Sequence, residues 1–443
     1  MLKANKDRKY IEIKKAKSGP IGEIVSPPDK SISHRAVIIA SIANGVSTIN
    51  NFLKAGDPMS TVNAFRSLGV KIIETKDGIE VHHSPGLGAL KEPRDIIDCG
   101  NSGTTMRLLT GVLASRPFHS QLTGDDSLKN RPMLRVIQPL KLMKANISAR
   151  DNDRFPPISI DGKRLEPITY EMPVASAQVK SSILLAGLSI EGGYTEVIEP
   201  VKSRDHTERM LKAFGADIKV DGLRVGITGS SKLTGQHIMV PGDFSSAAFF
   251  ITAAIVMEGA DLLIKQTGIN PTRIGFLDVI IGEMGADINL ENRTGIGSEP
   301  IADLRCKFTG NLKPFNIDKD RIPSLIDEFP LLCLLATQAH GVSTIRGARE
   351  LRVKESDRIS AMVEGLRDMG ASVDEHDDGD GVTIEGPVRL KGTHIQSYND
   401  HRIAMTFSIA ALIADGETII HDADAVEISF PDFYTQLNRL VRF

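Results

Sequence analysis

The chain has 443 residues, of which 41% are hydrophobic and 25% are charged, and its formal net charge is −3. This composition excludes a disordered chain, and the length is sufficient for two domains. Because there is no basic excess, we expect no nucleic-acid partner. The chain has three cysteines, Cys99, Cys306 and Cys333, and their spacing is not that of metal ligands. This odd number argues against a disulfide scaffold and suits a reducing compartment.

No segment of the sequence predicts membrane insertion. The basic N-terminus leads into no apolar run of signal-peptide length. The most apolar stretch, residues 247–257, is too short to span a bilayer and predicts a buried helix. We therefore expect a cytoplasmic protein without membrane contact.

In chain order, one pattern of elements occurs six times. A polar motif precedes an apolar run of helical length, and in most copies a short strand after Gly follows. The apolar runs are 36–43, 108–114, 183–188, 247–257, 331–336 and 404–414. In five copies a second helix ends in a Gly-Ala-like turn that enters another strand, at 68–72, 143–147, 214–218, 284–288 and 369–373. Strands followed by helices, twice per repeat, predict an α/β fold with three repeats in each of two domains.

The domain boundaries are predicted from turn signals. Pro241-Gly242 follows a loop-like segment and directly precedes the fourth repeat. A second crossing near residue 26 would place the strand at 10–16 with the C-terminal half. The predicted domains are 26–241 and 1–25 plus 242–443.

The polar motifs lie where loops enter helices. Helix N-termini carry unpaired N–H groups and partial positive charge, so they bind phosphate and carboxylate. In the segment 101–105, Gly103 would let the backbone approach an anion, and the neighbouring hydroxyls would add donors. The alternative for this motif is an ordinary N-capped core helix.

Cations recur at the same helix starts, where they oppose the helix dipole. They are Lys30, Arg35, Arg131, Arg204, Lys354, Arg358 and Arg402. Singly, each could lie on a solvated face. Together they indicate bound anions, because Arg matches carboxylate and phosphate bidentately and Lys supplies a point charge. The direct inference is a doubly anionic site or two anionic substrates.

Two acidic side chains accompany the cations. Asp327 starts the fifth apolar helix, and Glu355 lies between Lys354 and Arg358. Either could be structural, as an N-cap or as an i, i+3 partner. In a cationic pocket they can instead divide general acid and base catalysis.

Other signals are weaker. The acidic segment 374–379, with Glu385 further on, resembles a calcium loop, but His376 at the third position favours an acidic hairpin. The histidines form no metal-binding motif, and there is no P-loop or Gly-x-Gly-x-x-Gly. We therefore expect no metal and no nucleotide cofactor.

Four motifs resemble the 5-enolpyruvylshikimate-3-phosphate synthase family over essentially the whole chain. They are residues 28–35, 100–107, 352–358 and 398–405. Three further motifs are similar to its class II branch, namely 176–180, 204–208 and 270–273. The resemblance implies two domains of three βαβαββ units each, with the active site in the interdomain cleft.

The same resemblance implies transfer of the enolpyruvyl group of phosphoenolpyruvate to the 5-hydroxyl of shikimate 3-phosphate, with release of phosphate. It implies no cofactor or metal, and we expect a monomer. The residues expected to bind shikimate 3-phosphate are Lys30, Ser31, Arg35, Ser176, Gln178, Arg204, Asp327 and Lys354. Those expected to bind phosphoenolpyruvate are Lys30, Gly103, Arg131, Gln178, Arg358 and Arg402. The residues expected to transfer protons are Asp327, Glu355 and Lys30.

Two alternative functions remain. The sister enzyme that acts on UDP-N-acetylglucosamine shares the fold and the donor but needs a reactive cysteine on a mobile loop, and none of the three cysteines lies in a matching loop. A non-catalytic anion-binding protein would use the cations but does not explain the paired acids.

Overall fold

The computed structural model describes residues 2–5, 9–83 and 86–443. The chain forms two compact units. The N-terminal unit comprises Pro28–Pro241 and Gly295–Glu299, and the C-terminal unit comprises the remaining described residues. This division differs from the predicted domains in two places, because residues 26 and 27 lie in the C-terminal unit and residues 295–299 lie in the N-terminal unit. The latter segment joins that unit through Glu299, whose Oε1 lies 2.8 Å from Nδ1 of His206.

Up to residue 241 the chain alternates strands and helices. The strands are β1 (Leu2–Asn5), β2 (Tyr10–Lys14), β3 (Ile21–Val25), β4 (Gly45–Asn50), β5 (Lys71–Glu74), β6 (Gly78–His83), β7 (Ile97–Asp98), β8 (His119–Thr123), β9 (Asn146–Ala149), β10 (Phe155–Asp161), β11 (Thr169–Glu171), β12 (Tyr194–Ile198), β13 (Ile218–Asp221), β14 (Arg224–Thr228) and β15 (His237–Met239). The helices are α1 (Lys30–Ile42), α2 (Gly56–Ser67), α3 (Gly103–Leu113), α4 (Leu134–Leu142), the single turn α5 (Arg150–Asp153), α6 (Ala177–Gly187) and α7 (His206–Ala213).

The remainder of the chain continues the alternation. Its strands are β16 (Asp261–Gly268), β17 (Ile288–Ile296), β18 (Glu299–Lys307), β19 (Asn316–Ile317), β20 (Gly341–Ile345), β21 (Ser372–Glu375), β22 (Val382–Gly386), β23 (His394–Gln396) and β24 (Glu417–His421). Its helices are α8 (Phe244–Val256), the short α9 (Gly275–Leu277) and α10 (Ile322–Leu325), α11 (Phe329–Ala336), α12 (Arg358–Asp368), α13 (His401–Ile413) and α14 (Phe433–Leu440).

The N-terminal unit contains three four-stranded sheets of one topology. Their strand orders are β15-β4-β6-β5, β7-β8-β10-β9 and β11-β12-β14-β13. In each sheet the first two strands are parallel, and the last two strands form an antiparallel hairpin. Each sheet with its helices is therefore a βαβαββ module. The first module takes its outer strand, β15, from the end of the unit.

The C-terminal unit repeats this arrangement. Its sheets are β3-β16-β18-β17, β19-β20-β22-β21 and β23-β24-β2-β1. The hairpin of the last sheet comes from the start of the chain, and Tyr10 of β2 lies opposite His421 of β24. The predicted α/β architecture of three βαβαββ modules in each half is confirmed.

Six helices form the centres of the two hydrophobic cores. They are α1, α3 and α6 in the N-terminal unit and α8, α11 and α13 in the C-terminal unit. Most of their residues are apolar or small, and nearly all are buried whichever side of the helix they face, which is typical of buried helices rather than amphipathic ones. In α8, for example, only Val256 is not fully buried. The six predicted apolar runs lie in or overlap these helices.

Five of the six buried helices begin with a capping side chain. Asp29, Ser102, Ser176, Asp243 and Asp400 each accept a hydrogen bond from a backbone N–H of the first turn. Such a cap stabilises a helix by about 1 kcal/mol. The remaining N–H groups of these first turns can bind an anionic ligand.

Candidate active site

The start of α1 carries the first predicted site residues. Asp29 Oδ1 accepts the N–H of Ile32 at 2.8 Å and so caps the helix. The ammonium group of Lys30, the first helical residue, lies 3.2 Å from Oδ2 of Asp57. The side chain of Lys30 keeps 20% of its surface exposed, so a second anionic group can reach it.

Arg35, one turn further along α1, is held mainly by neutral oxygens. Its Nε donates to Oγ1 of Thr207 at 2.7 Å, and its Nη2 donates to Oγ of Ser181 at 3.3 Å. Its Nη1 donates to the carbonyl oxygen of Ser31 at 3.0 Å. Arg35 is thus a buried cation with hydroxyl and carbonyl neighbours.

The charge state of Arg35 is unusually unfavourable for an arginine. Burial, with a smaller contribution from the nearby Arg204, lowers its pKa to about 10. The carboxylates of Glu208 and Asp29 offset only part of this effect. A buried arginine whose charge is opposed in this way is suited to a bound anion, which would stabilise the charged form.

The start of α3 forms a cationic surface around a glycine. A Cβ atom added to Gly103 would lie 2.9 Å from Nη1 of Arg107 and 3.5 Å from Nη1 of Arg131. Ser102 caps the helix by accepting the N–H of Thr105 at 3.1 Å. Two guanidinium groups therefore lie beside a helix N-terminus that has no side chain at its first residue.

Both guanidinium groups are held in place. Nη2 of Arg131 donates to Oδ1 of Asn101 at 2.7 Å. Nη1 of Arg107 donates to Oε1 of Gln178 at 2.8 Å, and Nε2 of Gln178 donates to Oγ1 of Thr104 at 2.9 Å. These contacts orient the amide of Gln178. Arg107 lies within the motif 100–107 but is not among the predicted site residues.

The C-terminal unit contains a carboxylate surrounded by three arginines. Asp327 lies in a 3₁₀ turn, Ile326–Glu328, that leads into α11. Its carboxylate oxygens lie 3.4 Å from Arg273, 3.6 Å from Arg358 and 3.6 Å from Arg402. Its backbone carbonyl also accepts a hydrogen bond from Arg402 at 3.2 Å.

Arg358 is the most enclosed of these arginines, with 1% of its side chain exposed. Its Nε donates to Oδ2 of Asp400 at 2.7 Å, and its Nη2 donates to Oε2 of Glu355 at 2.7 Å. Burial opposes its charge, but Asp400, Glu355 and Asp327 outweigh burial and raise its pKa. Burial likewise opposes the charge of Asp400, but Arg358 outweighs burial and the pKa of Asp400 is lowered.

Each unit therefore collects its own part of the predicted site. The N-terminal unit contains Lys30, Ser31, Arg35, Gly103, Arg131, Ser176, Gln178 and Arg204. The C-terminal unit contains Asp327, Lys354, Glu355, Arg358 and Arg402. Nζ of Lys354 lies 3.6 Å from Oε1 of Glu350.

Two residues of the C-terminal cluster, Arg273 and Asp400, are not among the predicted site residues. Arg273 contacts Asp327, and its Nη2 donates to Oγ of Ser245 at 2.8 Å. Asp400 both caps α13 and binds Arg358. Each lies in a motif that signalled function, 270–273 or 398–405, but only the fold reveals which side chain of the motif contacts which partner.

The discounted calcium loop is a hairpin. Strands β21 and β22 are antiparallel, with Asp374 opposite Thr383. Among residues 2–5, 9–83 and 86–443, no group of three His, Cys, Asp or Glu side chains is arranged to hold a metal ion. Within the same residues no helix is long and apolar enough to cross a bilayer.

All three cysteines are free and buried. Burial raises the pKa of the thiols of Cys99, Cys306 and Cys333. The thiolate is the nucleophilic form of cysteine. These side chains therefore lack the environment of a reactive cysteine.

Comparison with known proteins identifies the family. The sequence matches the family described as EPSP synthase (3-phosphoshikimate 1-carboxyvinyltransferase) over residues 16–437. It is 53% identical to the 3-phosphoshikimate 1-carboxyvinyltransferase of Thermodesulfovibrio yellowstonii, over 97% of this chain and 99% of that protein. The same enzyme of Gloeothece citriformis is 51% identical, over 95% of this chain and 93% of the relative.

The structure agrees with these matches. It is similar to EPSP synthase from Acinetobacter baumannii, with a TM-score of 0.86, 45% sequence identity and 98% coverage of both chains. The enolpyruvyl transferase NikO from Streptomyces tendae matches with a TM-score of 0.78 at 18% identity, again over 98% of both chains, and shares the fold.

Fold and comparisons together define an enolpyruvyl transferase, and the predicted fold and transferase activity are confirmed. The chain belongs to the EPSP synthase family.

Proposed function

We propose that the two clusters described above carry out the transfer of the enolpyruvyl group of phosphoenolpyruvate to the 5-hydroxyl of shikimate 3-phosphate. The reaction releases phosphate and belongs to the shikimate pathway, which leads to chorismate and the aromatic amino acids. Both substrates are anionic small molecules. Their charges match the two groups of cations on the two units.

Shikimate 3-phosphate binds chiefly at the N-terminal unit in this proposal. The phosphate is held by Arg204, next to Arg35, and the strained charge of Arg35 supports an anion at this position. Ser31 and Ser176 lie at the starts of α1 and α6, where hydroxyl groups can bind the polar ring. Lys30, Gln178, Asp327 and Lys354 complete the expected contacts.

Phosphoenolpyruvate binds at the start of α3 and at the arginines of the C-terminal unit. Gly103 has no side chain and lies beside Arg131, so an anionic oxygen can approach both the backbone and the guanidinium group. Lys30 and Gln178 contribute from the N-terminal unit. Arg358 and Arg402 bind from the C-terminal unit, and an arginine fork matches a carboxylate bidentately.

The chemistry needs three proton transfers. A proton is delivered to the methylene carbon of phosphoenolpyruvate, while the 5-hydroxyl loses its proton and attacks the neighbouring carbon. The resulting tetrahedral adduct then loses phosphate and one proton of its new methyl group. Asp327 accepts the proton of the 5-hydroxyl, and Glu355 and Lys30 serve the transfers at the methyl carbon. The arginines around Asp327 keep its carboxylate in position and offset its charge.

The observation that carries the proposal is the carboxylate of Asp327 within 3.6 Å of three arginines. A carboxylate among three cations lies where anionic substrates and a proton acceptor are both required.

Phosphate release from phosphoenolpyruvate tests the proposal in metal-free buffer. We expect release with shikimate 3-phosphate and none with UDP-N-acetylglucosamine. Asp327→Asn keeps the size of the side chain but removes its basicity, so the rate should fall roughly 10²–10⁴-fold. The exposed Asp320 of the same unit provides the control, and Asp320→Asn should retain the wild-type rate.

The other outcomes are informative. Release with the sugar nucleotide would assign the chain to the sister reaction, and release with neither acceptor would leave an anion-binding protein. An Asp327→Asn enzyme with the wild-type rate would remove Asp327 from the mechanism while leaving the reaction in place.

We also propose that the chain is of the class II type and acts as a cytoplasmic monomer. The class II motifs 176–180, 204–208 and 270–273 support the subtype. Three free cysteines suit a reducing compartment. A single chain carries every residue of the proposed site, and sedimentation at assay concentrations tests the monomer.

A further inference from the structure

One buried lysine of the N-terminal unit has no part in the chemistry proposed above. Lys180 lies in α6, and its side chain is 0% exposed. Its Nζ lies 2.9 Å from Oε2 of Glu199 and 2.5 Å from Oε1 of Glu208. The two glutamates are also almost fully buried.

The two glutamates flank the loop that carries Arg204. Glu199 directly follows β12, and Glu208 lies in the first turn of α7. Oε1 of Glu199 also accepts the backbone N–H of Ser203 at 3.1 Å and the hydroxyl of the same residue. Lys180 thus joins both ends of the segment 199–208, and Glu199 fixes the residue immediately before Arg204.

The same segment reaches Arg35. Thr207, next to Glu208, accepts the hydrogen bond from Nε of Arg35 at 2.7 Å. Its Oγ1 also lies 2.6 Å from Oγ of Ser181, the neighbour of Lys180 in α6. A shift of the loop would therefore move Arg204 and Thr207 relative to Arg35.

The charges make Lys180 difficult to replace. Burial opposes its charge, but Glu208 and Glu199 outweigh burial and raise the pKa of Lys180. Burial raises the pKa of Glu208, and Lys180 only partly offsets the rise. Without the ammonium group two carboxylates would face each other in a buried site, and the loop would have to move to hydrate them.

We propose that Lys180 is a positioning residue that holds the segment 199–208 so that Arg204 and Arg35 form one phosphate site. The proposal rests on the function proposed above, in which this pair binds the phosphate of shikimate 3-phosphate. Lys180 should therefore affect the affinity for shikimate 3-phosphate and not the affinity for phosphoenolpyruvate. Gly103 and Arg131, which are proposed to bind phosphoenolpyruvate, lie outside the segment 199–208, and Arg107 and Thr104 hold the side chain of Gln178.

Steady-state kinetics of Lys180→Met tests this role. The substitution keeps an unbranched side chain of similar length and removes the charge. We expect the KM for shikimate 3-phosphate to rise about tenfold or more, because small displacements of binding groups have effects of this order. The KM for phosphoenolpyruvate should change by less than about twofold.

Leu184→Ala is the matched control. Leu184 lies one turn further along α6, is fully buried and carries no charge, so its truncation removes packing without unpairing Glu199 or Glu208. This variant should lower the melting temperature but leave the KM for shikimate 3-phosphate unchanged, since KM does not depend on the amount of active enzyme. An equal rise of KM in both variants would show that Lys180 serves only stability, and an unchanged KM in folded Lys180→Met would overturn the proposal.

A milder variant keeps the test valid if Lys180→Met does not fold. Ser203→Ala removes the hydroxyl bonded to Glu199, and we expect a several-fold rise in the same KM. An unchanged KM in this variant would then refute the proposed positioning.

Arg204→Gln separates failure of this proposal from failure of the function. If wild-type enzyme turns over shikimate 3-phosphate and Arg204→Gln raises its KM while Lys180→Met does not, only the positioning role fails. If the wild-type chain does not use shikimate 3-phosphate, the proposed function itself fails.

Discussion

Two buried arginines, Arg358 and Arg35, differ in their contacts and in the direction of their pKa shifts. The comparison indicates which of them has a structural role and which can bind an anionic ligand. Arg358 contacts Asp400 and Glu355 directly, and carboxylates raise its pKa despite burial. Arg35 contacts hydroxyl and carbonyl oxygens, and burial lowers its pKa. A cation that is already neutralised orients its neighbours. A buried cation without a carboxylate in direct contact gains the most electrostatic stabilisation when an anionic substrate binds.

Gly103 is the position where one methyl group should alter binding without altering the fold. An added Cβ would lie 2.9 Å from the end of the Arg107 side chain, and a flexible side chain can move by the required few tenths of an ångström. Because Arg107 also holds Gln178, we expect Gly103→Ala to raise the KM for phosphoenolpyruvate several-fold while the melting temperature changes little.

Initial-rate measurements with each substrate varied in turn check this prediction. Arg131, which is expected to bind only phosphoenolpyruvate, is also near the added methyl group, at 3.5 Å, so the KM for phosphoenolpyruvate should rise more than the KM for shikimate 3-phosphate. A variant that loses stability and keeps its KM would contradict it.

At the level of elements, the close packing of α3 against α6 depends on a second glycine. An added Cβ at Gly111 would lie 2.2 Å from the backbone carbonyl oxygen of Ser182 in α6. A backbone atom cannot move aside as a side chain can. The two glycines of α3 thus have different functions, one beside substrate-binding arginines and one between helices.

We therefore expect Gly111→Ala to destabilise the chain by about 1–3 kcal/mol or more, the usual cost of overpacking. Thermal or urea unfolding measures the loss, and Gly103→Ala on the same helix is its natural control. Equal stability of the two variants would contradict the assigned helix contact.

Elements also explain where the site residues lie. Five of the six buried helices start with a side-chain cap, and proposed binding residues lie in the first turns of four of them, α1, α3, α6 and α13. Because the module is repeated, the chain contains several such helix N-termini. The proposed site for two anions uses more than one of them, whereas each sequence motif marks only a single helix start.

At the scale of the whole molecule, the free energy of unfolding should depend on pH through a buried hydrogen-bond network in the N-terminal unit. Nδ1 of His34 lies 2.7 Å from Oγ1 of Thr61, which in turn lies 2.7 Å from Oγ1 of Thr105. These contacts join α1, α2 and α3. Burial, with the charges of Lys30 and Arg35, holds the pKa of His34 well below its usual value of 6.5.

The direction of the effect follows from this lowered pKa. Below about pH 6.5 the unfolded chain binds a proton at His34 that the folded chain does not bind, so stability falls as the pH falls. The slope from this group is at most about 1.4 kcal/mol per pH unit. His34→Asn should therefore show a flatter dependence of unfolding free energy between pH 7 and 5.

Denaturant unfolding at several pH values measures this slope. His119 is exposed, and His119→Asn should retain the wild-type dependence. A wild-type slope in His34→Asn would show that other groups determine the acid sensitivity.

Much of the fold could be predicted because its signals are local. The apolar runs predict the buried helices since a helix without a polar face must be enclosed. Their regular recurrence predicts the modules. The pairing of the N-terminal strand is harder to predict. Strand β2 pairs with β24, more than 400 residues away, and no local pattern specifies such a partner.

The sequence alone determined the family, the α/β modules and most of the residues expected at the site, because motifs and apolar periodicity are properties of short segments. Only the tertiary structure decided how charges are paired. It brought Arg273 to Asp327, Asp400 to Arg358 and Lys180 to Glu199. These pairs join segments 19 or more residues apart, and their strength depends on burial and distance, which exist only once the chain has folded.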